Sequence, residues 1–207
     1  MSPLASTTSA PSWPAASRRT LADVAVPHSS ALANALLILA ASLLTAAAAQ
    51  LEIRLPWTMV PITGQTFAVL LSGTILGPRR AFLAQLLYLL EGASGLPFFA
   101  GGAAGFARLV GPTGGYLVAF PFAAAVTGAF AEHAWDRKPV TMFLAMLAGS
   151  VIIFALGLAQ LSRFVPGPAL LAAGLYPFVL GDVTKALLAA GAFPAAWLVT
   201  RRFTGRA

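Results

Sequence analysis

The sequence predicts an all-α integral membrane protein, from its composition, its helix-length apolar segments and the placement of its charges. Hydrophobic residues make up 58% of the 207 residues and charged residues only 9%, against about 45–50% and about 25% in soluble domains. Thirteen Lys and Arg with six Asp and Glu are too few to cover the surface of a soluble enzyme of this size. The chain contains no cysteine, which excludes disulfides, thiolate metal sites and cysteine nucleophiles.

Six segments are apolar enough to form membrane helices. A bilayer core needs about 20 mostly apolar residues, and fewer where a helix is buried inside a bundle. The predicted helices cover residues 31–51, 65–76, 81–90, 112–133, 140–161 and 176–200. These bounds predict a flexible cytoplasmic N-terminal tail over 1–30, a six-helix membrane domain over 31–203 and a C-terminal tail over 204–207.

The basic residues predict the orientation of the bundle. With six helices, both termini and the loops after the second and fourth helices lie on one side. That side carries nine of the thirteen basic residues: Arg18, Arg19, Arg79, Arg80, Arg137, Lys138, Arg201, Arg202 and Arg206. The other three connections carry three basic residues, and Lys185 falls inside the sixth helix. Because Lys and Arg are in excess on the cytoplasmic face, both termini are predicted to be cytoplasmic. Because the basic residues occur as scattered pairs and not as one cluster, the sequence also argues against a nucleic-acid-binding patch.

Asp182 and Lys185 are charged residues inside an apolar helix. Residues i and i+3 share a helix face, and at 1.5 Å per residue the pair lies roughly 9–14 Å below the outer surface. Charges at this depth are costly and usually face the bundle interior. Two interpretations stay open: a polar ligand site, or an ion pair that joins helices.

The three outer connections, residues 52–64, 92–111 and 162–175, are long and rich in Gly and Pro, so we look for a ligand site there. The backbone N–H groups of glycines can bind an anion, aromatic rings can line an apolar pocket, and a glutamine offers donors and acceptors. The candidate ligand residues in and beside these connections are Thr63, Gln65, Phe98, Phe99, Gly101, Gly102 and Tyr116. For the stretch around Gln65, plain capping of the second helix by Thr63 is the alternative.

Motifs for nucleotide or metal chemistry do not occur in the sequence. It has no GxxxxGK[ST], no HExxH and no GxSxG, so we predict no ATP hydrolysis by this chain, no metal and no cofactor. The first helix carries small residues at Ser42, Ala46 and Ala49. Small residues at such spacing let helices approach closely, either within the bundle or against a partner membrane protein.

Four motifs taken together resemble one family. They are VPITGQT at 60–66, GLPFFAGG at 95–102, GPTGGY at 111–116 and PFVLGDVTK at 177–185. In this order they resemble the biotin-specific substrate-binding (S) components of energy-coupling factor (ECF) transporters, the BioY family, over about residues 31–203. Ser42 stands where the family's AxxxA coupling motif has an alanine.

The resemblance implies a six-helix bundle of the ECF S-component type in the bacterial inner (plasma) membrane, which captures biotin from outside. It implies as partners a transmembrane coupling protein (EcfT type), which would dock at Ser42, Ala46 and Ala49, and two cytoplasmic ATPases. Asp182 and Lys185 would contact the ureido ring of biotin, with the carboxylate as the alternative partner of Lys185. Alternative functions are an S component for another small vitamin, an intramembrane enzyme, and a secondary transporter with this pair as a relay, although no internal repeat is present.

Overall fold

The computed structural model of the chain describes residues 19–27 and 30–204, with side chains up to Thr200. Within these residues the α-helices are α1 (Leu21–Ala25), α2 (Ala31–Gln50), α3 (Gln65–Leu76), α4 (Pro78–Ala93), α5 (Ala107–Val110), α6 (Gly114–Glu132), α7 (Pro139–Leu161), α8 (Gly167–Gly174) and α9 (Tyr176–Thr204). Two short strands, β1 (Glu52–Ile53) and β2 (Ile62–Thr63), form an antiparallel pair between α2 and α3. The all-α prediction did not include this hairpin, which ties together the two ends of the first outer connection.

Each of the six segments predicted as helices is helical. Helices α2, α6 and α7 and the segment 167–200 are long and apolar enough to cross a membrane. Helix α3 has 12 residues and α4 has 16, which is short for a bilayer crossing. The described part of the chain is therefore mostly helical, with four segments of membrane-spanning length.

Helix α6 lies at the centre of the bundle, packed between α3, α4 and α7. Glycines at its contacts allow this close packing. A Cβ on Gly73 of α3 would lie 2.0 Å from the Thr127 hydroxyl of α6, and a Cβ on Gly115 of α6 would lie 2.2 Å from the Leu156 carbonyl oxygen of α7. Both distances are far inside van der Waals contact, so any side chain at these two positions would push the helices apart.

The outward faces of the peripheral helices are apolar. Large hydrophobic side chains are exposed along α2, α7 and α9, among them Leu32, Leu36, Leu43, Val151, Leu180, Leu187 and Leu188. A soluble monomer rarely exposes so much contiguous apolar surface. Lipid tails are the natural environment for such a surface, which fits the prediction of a membrane protein.

Residues 19–27, which lie within the predicted N-terminal tail, pack against the bundle. They contain α1, and Thr20 beside it is only 1% exposed. The backbone N–H and the hydroxyl of Thr20 each donate to the Asp23 carboxylate at 2.9 Å, and Arg80 pairs with the same carboxylate. A capping motif, Thr-x-x-Asp, and the pairing of Asp23 with Arg80 fix this segment against the α3–α4 turn. The predicted tails at 1–18, 28–29 and 205–207 lie outside the described residues.

Asp23 titrates below the usual range of a carboxyl group. Burial works to raise the pKa of Asp23, but the hydrogen bonds from Thr20 and Arg80 and the charge of Arg80 outweigh burial, so that the pKa is lowered. The ionised form of Asp23 therefore stabilises the fold.

The turn between α6 and α7, on the same side of the bundle, is fixed in another way. The indole N–H of Trp197 donates to Asp136 Oδ2 at 2.5 Å, and the Arg137 guanidinium lies 4.4 Å from the centroid of the Trp197 ring. Burial raises the pKa of Asp136, despite the indole hydrogen bond and the charge of Arg137, which lower it. This turn thus anchors the end of α9.

Candidate functional site

A cavity of about 600 Å³ lies at the end of the bundle where α3, α6 and α9 begin. Its walls come from these helices and α7, together with the connection 52–63 and the glycine-rich segment 99–108. The first two of the three predicted outer connections therefore contribute directly to it. A cavity of this volume suits a small molecule.

Asp182 and Lys185 are adjacent in the wall of this cavity. Lys185 Nζ lies 3.2 Å from Asp182 Oδ1, and the side chain of Asp182 is only 7% exposed whereas that of Lys185 is 22% exposed. This geometry agrees with both interpretations left open by the sequence, an ion pair and a ligand site, because the residues are paired and the pair faces a cavity. A pair that only joined helices would not need a cavity beside it.

Two hydroxyl groups complete the polar cluster. Ser150 on α7 donates to Asp182 Oδ2 at 3.1 Å, and Thr66 on α3 donates to Asp182 Oδ1 at 3.3 Å. Lys185 donates to the Thr66 hydroxyl at 2.8 Å and to the Thr63 carbonyl oxygen at 3.2 Å. The roles of Thr66 and Ser150 were not predicted, because a hydroxyl in an apolar helix gives no indication of which helix it faces.

The capacity for further hydrogen bonds differs between the two charges. An ammonium group has three donors, and those of Lys185 are taken by Thr63, Thr66 and Asp182. A carboxylate has about four acceptor positions, and Asp182 Oδ2 receives one described hydrogen bond. A ligand N–H group can therefore donate a hydrogen bond to Asp182 directly. A ligand carbonyl can accept a hydrogen bond from Lys185 only if one of the three existing bonds is broken.

Thr63 and Gln65 line the cavity but also bind each other. The Thr63 hydroxyl donates to Gln65 Oε1 at 3.0 Å, and Gln65 Nε2 donates to the Tyr88 hydroxyl at 2.5 Å. The N-cap residue of α3 is Gly64 and not Thr63, although the Thr63 hydroxyl accepts from the Gln65 N–H at 3.3 Å. The proposed capping alternative is therefore only partly correct, and both side chains belong to the buried network behind the wall.

Gly101 and Gly102 also line the cavity, with φ angles of 67° and 71° that favour glycine. The Gly102 N–H donates to Gln50 Oε1 at 3.0 Å, and Gln50 Nε2 lies 3.4 Å from the carbonyl oxygens of Phe98 and Phe99. The Gly102 N–H is thus engaged by Gln50, which the sequence analysis did not single out. An anion nest at this segment would have to use other N–H groups.

Aromatic rings form much of the apolar wall, as expected from the sequence. Phe99 and Tyr116 line the cavity, but Phe98 does not. The Tyr116 hydroxyl donates to the Gly174 carbonyl oxygen at 2.8 Å, at the end of α8. Further aromatic lining residues, not predicted, are Phe120, Phe154 and Phe178.

Cationic side chains also lie at the cavity. Arg108 is exposed and lines it, as do Arg54 and Glu52, which form an ion pair at 2.7 Å. Among the described residues no ion pair of Arg108 is found. Arg54 and Arg108 were counted among the outer basic residues but were not predicted as cavity residues. Their positions near the predicted ligand motifs could have indicated this role.

Ser42, Ala46 and Ala49 do not form an accessible docking surface. Their exposed fractions are 0%, 6% and 0%, and the Ser42 hydroxyl donates to the Glu91 carboxylate of α4. The alternative left open by the sequence, close packing within the bundle, describes these three residues. The small residues do allow a helix to approach α2 closely, but the helix that does so is α4 of the same chain.

The fold and the site together define a helical protein with membrane-spanning segments and a polar-and-aromatic cavity of small-molecule size near one end of its bundle. Comparison with protein families matches residues 19–202 to the BioY family. The chain belongs to the BioY family, and the resemblance found in its motifs is confirmed.

Individual relatives agree with this assignment. The chain is 38% identical over 146 residues to the probable biotin transporter BioY of Pyrococcus horikoshii, covering 70% of this chain and 85% of that protein. It is 41% identical over 140 residues to the biotin transporter BioY of Thermotoga maritima, covering 67% and 81%. These relatives are named transporters rather than enzymes.

The fold is similar to a solved structure. This is the crystal structure of the S-component for biotin from an ECF-type ABC transporter, with a TM-score of 0.68 and 23% sequence identity. The likeness covers 85% of this chain and 93% of that chain. At this identity it establishes the fold alone.

Proposed function

We propose that this chain is the substrate-capture subunit of a biotin uptake system and that it binds biotin in the cavity beside Asp182. The observation that carries the proposal is a buried acid–base pair in the wall of an aromatic cavity, in a chain of the BioY family. The relatives named above as biotin transporters support biotin as the ligand.

The chemistry of biotin fits the polar groups that line the cavity. Its ureido ring has N–H groups and a carbonyl, and its valeryl chain ends in a carboxylate. The acceptor capacity left on Asp182 suits the ureido N–H groups. The ureido carbonyl replaces one of the three present hydrogen-bond acceptors of Lys185. The exposed cation of Arg108 suits the carboxylate, which favours the ureido assignment for the Asp182–Lys185 pair.

The aromatic wall suits the rest of the molecule. The thiophane ring and the valeryl chain are apolar, and burying apolar surface stabilises a complex by about 25 cal/mol per Å² before the costs of association are subtracted. Phe99, Tyr116 and Phe120 supply such surface in the cavity wall. The ligand is thus held by polar groups for specificity and by aromatic contacts for affinity.

We further propose that the six helices predicted from the sequence, α2, α3, α4, α6, α7 and α9, all cross the bacterial plasma membrane, with both termini in the cytoplasm. The nine basic residues on one side support this orientation. Helices α3 and α4 are short for a bilayer crossing, and the burial of most of α3 inside the bundle supports its crossing with fewer residues. The cavity then opens to the outside.

The proposed partners are a transmembrane coupling protein of the EcfT type and two cytoplasmic ATPases. The absence of a GxxxxGK[ST] motif from this sequence supports a separate source of ATP hydrolysis. Docking at Ser42, Ala46 and Ala49 would require α2 to separate from α4, because these residues are buried there. The coupling contact is therefore proposed without a residue assignment.

Calorimetric titration of the purified full chain with biotin tests the proposed function. We expect saturable binding at one molecule per chain. Lys185→Met should weaken it about tenfold or more, whereas the matched control Arg163→Met should not, because Arg163 is exposed and outside the cavity lining. A folded chain that does not bind biotin would contradict the proposal, and binding of another vitamin in its place would redirect it.

A further inference from the structure

We infer that Thr66 and Ser150 are positioning residues for the ligand, because they hold the carboxylate of Asp182 and the ammonium of Lys185 in the orientation that biotin meets. The inference rests on the proposed function and deepens it. Two hydroxyl groups thereby gain a role: that of Thr66 on α3, which lines the cavity, and that of Ser150 on α7, which is not among the lining residues.

These hydroxyl groups donate differently from those of three buried threonines in the bundle. A buried Ser or Thr inside a helix commonly donates to a carbonyl three or four residues earlier in the same helix. Thr45, Thr74 and Thr127 do so, at 3.0–3.1 Å. Thr66 and Ser150 instead donate across the bundle to Asp182, at 3.3 and 3.1 Å.

The Thr66 hydroxyl bridges the two charges. It accepts from Lys185 at 2.8 Å and donates to Asp182 Oδ1 at 3.3 Å, while the direct distance from Lys185 Nζ to Asp182 Oδ1 is 3.2 Å. The three groups form a closed triangle in which each hydrogen bond restrains the other two. Removal of the hydroxyl leaves the ion pair with a single direct contact.

Ser150 restrains the other oxygen of the same carboxylate. With Oδ1 bound from α3 and Oδ2 bound from α7, the plane of the Asp182 carboxylate is fixed from two sides. The χ2 torsion of an aspartate is otherwise broad. A carboxylate already fixed in the binding orientation loses less freedom when the ligand arrives, and this preorganisation raises affinity.

A substitution series on α3 tests the inference by calorimetric titration with biotin. Thr66→Val keeps the shape and removes the hydroxyl, so we expect affinity to fall about tenfold, as for a hydrogen bond to a charged group. Thr66→Ser restores the hydroxyl and should restore the affinity. The matched control is Thr74→Val, the same change on the same helix at a hydroxyl that donates only to Leu70 within α3. Equal effects of Thr66→Val and Thr74→Val would overturn the inference.

A second series approaches the same carboxylate from α7. Ser150→Ala should also weaken biotin binding, and it keeps the test decisive if Thr66→Val does not fold. In an Asp182→Asn background, Thr66→Val and Ser150→Ala should cause little further loss, because the group on which they act has changed. Fully additive losses would overturn the inference.

Two further measurements separate the possible failures. The melting temperature of each variant is recorded on the same samples, and variants with lowered stability but parental affinity would assign Thr66 and Ser150 to structure alone, which overturns the inference. A parent chain that binds no biotin overturns the proposed function and this inference with it. A parent that binds biotin, with Thr66→Val and Ser150→Ala binding equally well, overturns this inference only.

Discussion

The two ends of the bundle each carry a partly buried acid–base pair, and the surroundings of the pairs differ. At one end Asp182 and Lys185 lie three residues apart on one helix and face a cavity. At the other end Asp23 pairs with Arg80 across 57 positions of sequence, between α1 and the start of α4, and neither residue lines the cavity. The first pair faces the cavity in which we propose that the ligand binds, and the second holds residues 19–27 against the bundle. The two pairs are thus distinguished by the space in front of them and not by the pairing itself.

The largest expected effect is a loss of binding at the cavity pair. Asp182→Asn removes the charge that accepts the ligand N–H groups and that neutralises Lys185. We expect biotin affinity to fall by at least about tenfold, because a lost buried contact to a charged group costs about 1.5–3 kcal/mol. Calorimetric titration measures it. The matched variant Asp23→Asn, at the other end, should bind as the parent does, and equal losses in the two variants would erase the distinction between the pairs.

The second effect is a loss of stability at the other end. Asp23→Asn weakens the capping bonds from Thr20 and the ion pair with Arg80, and about 1 kcal/mol is expected after allowance for the partial exposure of Asp23. For a chain of this length that corresponds to about 2–4 °C in melting temperature. A thermal scan of purified parent and variant checks it. An unchanged melting temperature would show that α1 contributes nothing to the stability of the bundle.

The pH dependence of the same variant sharpens the test. The pKa of Asp23 is lowered in the fold, so its stabilisation is present above the unfolded pKa of about 3.9 and is lost as the pH falls through the lower folded pKa. The difference in melting temperature between parent and Asp23→Asn should therefore be constant between about pH 5 and 7 and shrink below about pH 4. A difference that grows with acidity has the wrong sign for this account.

The smallest expected effect concerns the exposed cation at the cavity. Arg108→Gln should weaken biotin binding by about threefold or less, because an exposed ion pair contributes about 0–1 kcal/mol. The loss should disappear in about 1 M salt, where charges are screened beyond about 3 Å. Arg163→Gln serves as the matched control. A loss that persists at high salt would indicate that Arg108 closes over the carboxylate rather than acting from the surface.

The sequence predicted the cavity pair because its signal is local. Asp182 and Lys185 stand out as charges within an apolar helix, and the spacing of three residues places them on one face. The positions of the long helices were predictable for the same reason, since apolar segments of helical length are read from neighbouring residues. The family resemblance added the ligand, which no local pattern contains.

The missed features depend on contacts between distant segments. Ser150 lies 32 positions from Asp182 and looks like any small polar residue of an apolar helix. The pairing of Asp23 with Arg80 was hidden because one residue lay in a polar tail and the other was counted as a marker of orientation. Ser42 and Ala46 show the limit most clearly, because small residues indicate close approach of a helix without indicating which chain supplies that helix.

The end of α8 has a consequence for the first outer connection. The last carbonyl groups of a helix have no partner within it, and two at the end of α8 are satisfied from elsewhere: Ala173 by the Thr58 hydroxyl at 2.6 Å and Gly174 by the Tyr116 hydroxyl at 2.8 Å. Thr58 belongs to the connection 52–63, which lines the cavity. Displacement of that connection would leave a partly buried carbonyl without its donor, at a cost of about 1–3 kcal/mol. The hydrogen bond between Thr58 and Ala173 therefore restrains one wall of the cavity.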